Sequence, residues 1–274
     1  MLDTQLQTYL SGISEWRQTK DDELRSDDGW LTLVGLLWLN EGINSIGSGT
    51  DCAVMLPESA PKNLGVITFA NGQAHLTVTT DEPVIVDEAP VKSAVLRDDH
   101  AEGGASLVNV GSITFFVIKR ADQYGIRVRD AKSDALKSFT GRRWYPVDPA
   151  YRVAAAFIPH ETSRTVQVMS SAGVVLPMDN PGYLEFELHG QRLRLEAFDA
   201  EDDRWWLIFK DGTSGVTTYG AGRFLYVPRQ TDEGIWIDFN RAYHPPCTFT
   251  PYATCPLPPR ENNLTVPVEA GECF

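Results

Sequence analysis

Apolar residues recur at intervals of three and four along the start of the chain: Leu2, Leu6, Leu10 and Ile13, with Trp16 and Arg17 next on the same face. That period is helical, because side chains about 3.6 residues apart share one side of a helix. The spacing predicts a helix over residues 2–20, broken by Ser26-Asp27-Asp28-Gly29. Beyond that point the period drops to two. VITFA (66–70) and QAHLTV (73–78) flank Asn71-Gly72, which supplies the two positive φ angles of a tight hairpin turn. SITFFVIKR (112–120) and YGIRVRD (124–130) predict a second hairpin around residues 121–123. YLEFEL (183–188) and QRLRLEAF (191–198) predict a third at His189-Gly190. In QRLRLEAF, Leu193 and Leu195 face one way and Arg192 and Arg194 the other, so one face meets a core and the other water. RWWLIFK (204–210), RFLYV (223–227) and GIWIDFN (234–240) come next at regular spacing.

Repeated hairpins with Gly, Asp and Pro punctuation argue for sandwiches or barrels rather than strand–helix–strand units. The polar run AKSDALKSFTGRRWYPVDPAY (131–151) holds no alternating apolar stretch and reads as a division, with Trp144-Tyr145-Pro146 packing as a hinge or staple. The expected fold is therefore all-β, with two β domains behind a short N-terminal helix. Residues 1–28 form the helix and linker, 29–140 a β-sandwich, and 141–274 an antiparallel sandwich or barrel with a proline-rich loop.

Composition narrows the function classes. The chain has 274 residues and a formal charge of −13. An acidic chain repels phosphate backbones, so neither nucleic acid nor an anionic membrane is an expected partner. No basic region leads into an apolar run at the N-terminus, and the apolar stretch LTLVGLLWL (31–39) is too short to span a bilayer. The expected location is the cytoplasm, where thiols stay reduced, so Cys52, Cys247, Cys255 and Cys273 do not imply a disulfide framework.

Two resemblances add to this reading. EGINSIGSGTDCAVMLPESAPKNLGVITFANGQAHLTV, VIVDEAPVKSAVL and GSITFFVIKR, within residues 41–120, resemble a forkhead-associated (FHA) domain in strand order and glycine placement. The resemblance implies a β-sandwich. That family binds phosphothreonine through an arginine after its first turn glycine; here Ser48 follows Gly47, so the bidentate cation such a site needs is missing. The run TSGVTTYGAGRFLYV, then DFNRAYHPPCTFTPYATCPLPPRENNLTVPVEAGE, resembles the C-terminal signature of a bacterial and archaeal family known only as a domain of unknown function, with similarity beginning near GLLWLNEG (35–42). It implies a shared fold and site but no activity or catalytic residues.

The chemistry must come from the residues themselves. Asp211-Gly212-Thr213-Ser214-Gly215 and Tyr219-Gly220-Ala221-Gly222-Arg223 are glycine-rich turns where backbone approaches backbone or ligand closely. No Gly-Lys-Ser/Thr enters a helix, and no Ser-His-Asp order, His-Glu-x-x-His or nucleotide fingerprint appears, so no cofactor is expected. Prolines 245, 246, 251, 256, 258 and 259 make the next segment a rigid extended loop suited to closing one wall of a cavity.

Three readings of that loop's cysteines compete. His244, Cys247 and Cys255 are metal ligands; or Cys247 is a nucleophile served by a base; or both cysteines are buried packing groups. Tyr219, Arg223, Asn240, Tyr243, His244, Cys247 and Arg143 form the candidate ligand-binding set, since arginine offers a planar fork to a carboxylate or phosphate. Internal salt bridging is the competing use of the same arginines. The expected function is a small anionic-molecule site in the second domain, with His244 as a conceivable acid–base group if it is catalytic. The alternative is a non-catalytic protein-interaction module.

Overall fold

The computed structural model describes residues 2–274, with side chains from Thr4 onward, so the side chain of Leu2 lies outside the described residues. The first element is the helix α1, Leu2–Arg25. It runs five residues past the expected end because local pairs extend it: the Gln18 amide donates to Asp22 at 2.8 Å and Lys20 pairs with Glu23 at 2.6 Å. Ile13, on the apolar face, is fully buried.

Two compact units divide the chain. The N-terminal unit comprises residues 24–139 and 249–253; the C-terminal unit comprises residues 1–23, 140–248 and 254–274. The helix thus counts with the C-terminal unit up to Glu23, although chain order sets it beside the sandwich strands. The proline-rich segment is shared in the same way. Residues 249–253 belong to the N-terminal unit, where the Thr250 hydroxyl donates to the Leu33 carbonyl at 3.0 Å and Phe249 meets Phe139 edge-on.

The N-terminal unit carries β1 (Leu33–Trp38), β2 (Gly42–Gly47), β3 (Val54–Met55), β4 (Gly65–Ala70), β5 (Gln73–Val78), β6 (Ile85–Val86), β7 (Ala89–Pro90), β8 (Ser93–Leu96), β9 (Val108–Val110), β10 (Ile113–Arg120) and β11 (Gln123–Asp130). Its described residues form a six-stranded sheet in the order β1-β11-β10-β9-β6-β7 and a five-stranded sheet in the order β3-β2-β4-β5-β8. Inward residues of both sheets, among them Ile46, Ile67, Leu76, Phe115 and Val128, make one core, so the unit is a β-sandwich. Burial alternates strictly in β5, and Asn71 and Gly72, with φ of 50° and 74°, turn β4 into β5. Each fully buried Leu, Ile or Phe in this core contributes roughly 1.5–3 kcal/mol. Ser48 turns its hydroxyl onto the Ala60 carbonyl at 2.7 Å.

The C-terminal unit carries β12 (Arg143–Trp144), β13 (Arg152–Met169), β14 (Val175–Leu188), β15 (Gln191–Ala200), β16 (Arg204–Phe209), β17 (Arg223–Pro228), β18 (Ile235–Asp238) and β19 (Glu272–Cys273). Six of these strands take the order β17-β16-β15-β14-β13-β18, and the end strands β17 and β18 meet again, giving a nearly closed barrel among the described residues. Leu184, Leu195, Leu207, Phe209, Ile237 and Phe239 fill it. The third hairpin turns at His189 and Gly190, with φ of 52° and 72°. β12 pairs with β19, placing Arg143 opposite Cys273. Trp144 packs inside this unit against Trp16, at 5.5 Å between ring centroids. No helix among the described residues is long and apolar enough to cross a membrane.

Candidate functional site

The turn after β16 sets the scaffold. Asp211, just past the end of that strand at Phe209, is buried and turns its carboxylate inward. Its Oδ1 accepts from the Thr213 amide at 2.8 Å, the Thr213 hydroxyl at 2.6 Å and the Val268 amide at 3.1 Å. Its Oδ2 takes Arg223 at 2.8 Å, and both side chains of that pair are fully buried. Arg223 also donates to the Val268 carbonyl at 2.8 Å and to the Ala270 carbonyl. Only glycine fits before it: Gly222 has φ +98°, and a Cβ there would lie 2.4 Å from the Phe209 carbonyl oxygen and 2.8 Å from Pro258. Arg223 therefore ties the Val268–Glu272 tail to β17 and, fully buried, presents no face to a ligand from solvent. The expectation that it would bind an anion gives way to a structural role.

Asn240 is spent in the same manner. Its amide nitrogen donates to the Asp148 carbonyl at 2.8 Å, to Asp238 at 3.1 Å and to the Tyr9 hydroxyl at 3.0 Å, while its oxygen accepts from the Asp148 amide at 3.0 Å. Burial and the adjoining Asp238 carboxylate push the Tyr9 phenol upward, so it stays protonated and donates to Asp238 at 3.0 Å. Tyr243 lies edge-on to Trp16 and Phe224 under the ammonium of Lys20, 5.2 Å from its ring centroid. Burial holds its phenol well above the ordinary range. Arg143 is exposed on β12, opposite Cys273.

The remaining three candidates converge. His244 is buried, and its Nε2 accepts the Tyr219 amide N–H at 3.1 Å. The ring proton therefore sits on Nδ1, which faces Glu272 Oε1 at 3.3 Å. Glu272 also accepts the His244 amide at 2.6 Å and pairs with Arg142. With its lone pair taken by a backbone amide, His244 fixes the loop and serves no thiol as base. The same fixture turns it away from a shared centre with the cysteines; among the described residues no group of three or more His, Cys, Asp or Glu is placed to hold a metal ion.

Tyr219, oriented through that amide, sends its hydroxyl to the Cys247 carbonyl at 3.2 Å and lies beside the Cys247 thiol. The Cys247 amide donates to Cys255 Sγ at 3.3 Å. Cys255 is held in turn by Ser171: its amide donates to the Ser171 hydroxyl at 3.1 Å, and its carbonyl accepts the Ser171 amide at 2.8 Å. Hydrogen bonding to Cys255, with lesser help from the Tyr219 and Ser171 hydroxyls, outweighs partial burial and pulls the Cys247 thiol down to about 7. Burial, then contact with Cys247, pushes the Tyr219 phenol up to about 12. All four cysteines are unbridged, and Cys247 is half-buried while Cys255 is 5 % exposed.

Sequence reasoning missed Ser171 and Glu272. Ser171 is 84 residues from Cys255, and its surroundings, Ser170-Ser171-Ala172-Gly173, read only as a turn. Two open clefts of the C-terminal unit lie elsewhere: one of about 540 Å³ beside Glu185, Arg192 and Arg194, another of about 480 Å³ beside Arg204, Trp206 and Tyr226.

A β-sandwich unit and a near-closed barrel unit, the latter holding two cysteines joined by an amide-to-sulfur hydrogen bond, define the class of this protein. Residues 137–273 match the family described as "Protein of unknown function (DUF1684)", and the chain belongs to that family. The match begins at residue 137, well past the residue-35 start expected from the resemblance. An uncharacterised protein of Haloarcula marismortui, solved by solution NMR, is 34 % identical over 50 % of this chain and 78 % of its own, with a TM-score of 0.43. The FhaA FHA domain, crystallised with the intracellular domain of another protein, is 23 % identical over 34 % of this chain and 97 % of its own, with a TM-score of 0.25. A further FHA domain, from work on phosphothreonine-dependent interactions, is 24 % identical over 36 % of this chain and 96 % of its own, again with a TM-score of 0.25. No curated protein matches the chain.

Proposed function

We propose that the C-terminal unit is a small-molecule module that works through the Cys247 thiol. One observation carries this reading: a half-buried thiol with two hydroxyls and a second thiol around it, on a loop fixed by prolines and by His244. Hydrogen-bond donors aimed at sulfur favour the thiolate, which is the nucleophilic form. The narrower form of the reading is an anionic ligand. Arg223 and Arg142 are committed to carboxylates, so Arg143, exposed on β12, is the cation such a ligand would meet.

The test is alkylation of the full chain by iodoacetamide, followed at Cys247 by peptide mass spectrometry across pH. The rate is half-maximal near pH 7. At pH 7 the thiolate fraction is about fifteen times that of an unperturbed thiol, and the lower basicity costs about fivefold in nucleophilicity, so the net gain is about threefold. A profile centred near 8.5, as in an ordinary exposed cysteine, sinks the proposal. A thermal-shift panel of small organic acids and phosphates separates the narrower form: a shift lost in Arg143→Ala supports an anionic ligand, and a shift indifferent to Arg143 removes it.

A second reading, a protein-interaction module, draws on the N-terminal unit. Ile43, Thr68, His75 and Val95 form one row across β2, β4, β5 and β8, and its ends, Ile43 and Val95, are 75 % and 61 % exposed. Solvent-facing apolar side chains in one row suit a partner surface. Loss of a captured partner in Ile43→Asp, with Cys247 reactivity unchanged, would assign that role to this unit.

A further inference from the structure

We propose that Cys247 and Cys255 act together as a peroxide-reducing pair, with Cys247 attacking and Cys255 resolving. This rests on the nucleophilic role assigned to Cys247 and names its substrate class, a small hydroperoxide.

The geometry separates the two roles. Cys247 is half-buried, beside the hydroxyls of Tyr219 and Ser171. Cys255 is 5 % exposed, so it meets its neighbour rather than solvent. Its main chain is clamped on both sides by Ser171, at 3.1 Å and 2.8 Å, and its sulfur accepts the Cys247 amide at 3.3 Å. A thiol serving alkyl or acyl transfer has no use for a second thiol; a thiol oxidised to sulfenic acid needs one nearby. Pro245 and Pro246 before the pair and Pro251 and Pro256 within and after it limit the loop's conformations, so little ordering remains to be done when the two sulfurs join.

The chemistry balances in two steps. The Cys247 thiolate attacks the terminal oxygen of the hydroperoxide, and the O–O bond breaks. The sulfur loses two electrons and becomes sulfenic acid; the peroxide gains them and leaves as water or an alcohol, taking up a proton from solvent. The Cys255 thiol then attacks the sulfenic sulfur. The S–S bond forms and the sulfenic oxygen leaves as water, carrying the Cys255 proton. A dithiol reductant, by exchange through a mixed disulfide, returns the pair to its starting state. Tyr219, its hydroxyl bonded to the Cys247 carbonyl at 3.2 Å, stays protonated beside the reacting sulfur. Its phenol, pushed up to about 12, keeps its proton while the thiol beside it, near 7, gives its own up.

The test uses the reduced full chain and one equivalent of hydrogen peroxide. The wild type loses two hydrogens in intact mass, and peptide mapping shows a Cys247–Cys255 link with Cys52 and Cys273 still alkylatable. In Cys255→Ser, and in Cys255→Ala should the serine variant misfold, Cys247 gains one oxygen and is labelled by dimedone. Cys247→Ser does neither. Links that run to Cys52 or Cys273, or oxidation of Cys247 with no link to Cys255, overturn the pair. If Cys247 alkylates with its profile near pH 7 yet gives no link and no dimedone adduct, the inference fails and the nucleophilic role stands. If the alkylation profile lies near 8.5, both fail.

Discussion

The two units solve the problem of burial differently. In the N-terminal unit the fully buried large side chains are apolar, among them Ile46, Ile67, Leu76, Ile113 and Phe115, and the polar residues buried as deeply are the uncharged Thr32, Asn44 and Ser106. In the C-terminal unit, Arg223 is fully buried beside Asp211, with Asn240, His244, Asn180, Asn262 and Glu272 each at or below 2 % exposure. An apolar core needs only complementary volume and tolerates repacking. A buried polar network must be largely partnered, since each orphaned group costs about 1–3 kcal/mol and an unpaired charge more; here the Arg223 Nε is left without a hydrogen bond while its two other nitrogens are bonded. The barrel thus holds its tail and loop in one geometry. The thiol pair proposed for the barrel would benefit from that rigidity, whereas the surface role proposed for the sandwich would have no need of it.

The sharpest way to break this contrast is Arg223→Met. Removing one member of a fully desolvated pair leaves the buried Asp211 charge without its counter-ion and its Oδ2 without a donor, and the expected loss is about 3–5 kcal/mol. A urea titration that finds less than about 1 kcal/mol would mean that the barrel, like the sandwich, rests on its apolar contacts alone. A smaller effect is expected at Gly72→Ala. Its φ of +74° disfavours any Cβ, and the added carbon would lie 3.1 Å from the Tyr124 hydroxyl, so the cost is about 1–2 kcal/mol, confined to the N-terminal unit. Alkylation of Cys247 in that variant should be unchanged. A parallel loss of Cys247 reactivity would show that the site depends on both units.

The smallest effect is in pH dependence. The folded state lowers the Cys247 pKa to about 7, below its unfolded value, so the folded chain binds fewer protons in that window. The stabilisation is present in full above the unfolded value, near 8.5, and is lost as pH falls through about 7. Partial exposure screens it. Comparing the urea midpoints of wild type and Cys247→Ser between pH 9 and pH 6 should show the difference shifting against the wild type as pH falls. A difference constant across that window would remove the hydrogen-bonded thiolate from the description.

Strand periodicity and turn chemistry are local properties, and they were legible: Asn71-Gly72 and His189-Gly190 turn where residue type demands positive φ, and β5 alternates as its sequence does. The clustering of Tyr219, His244 and Cys247 was half-legible, because glycine and proline positions marked two stiff segments without showing where their side chains point. What tertiary structure alone decided was which polar groups are free and which are spent. Arg223 and Arg143 look alike in sequence, yet one is sealed against Asp211 and the other exposed on β12. His244 is three residues from Cys247, but the Tyr219 amide takes its lone pair. Ser171, distant in sequence, clamps Cys255. The physical reason is that a hydrogen bond is set by distance and angle between groups that chain spacing does not fix, whereas backbone twist and hydrophobic period are written within a few neighbouring residues.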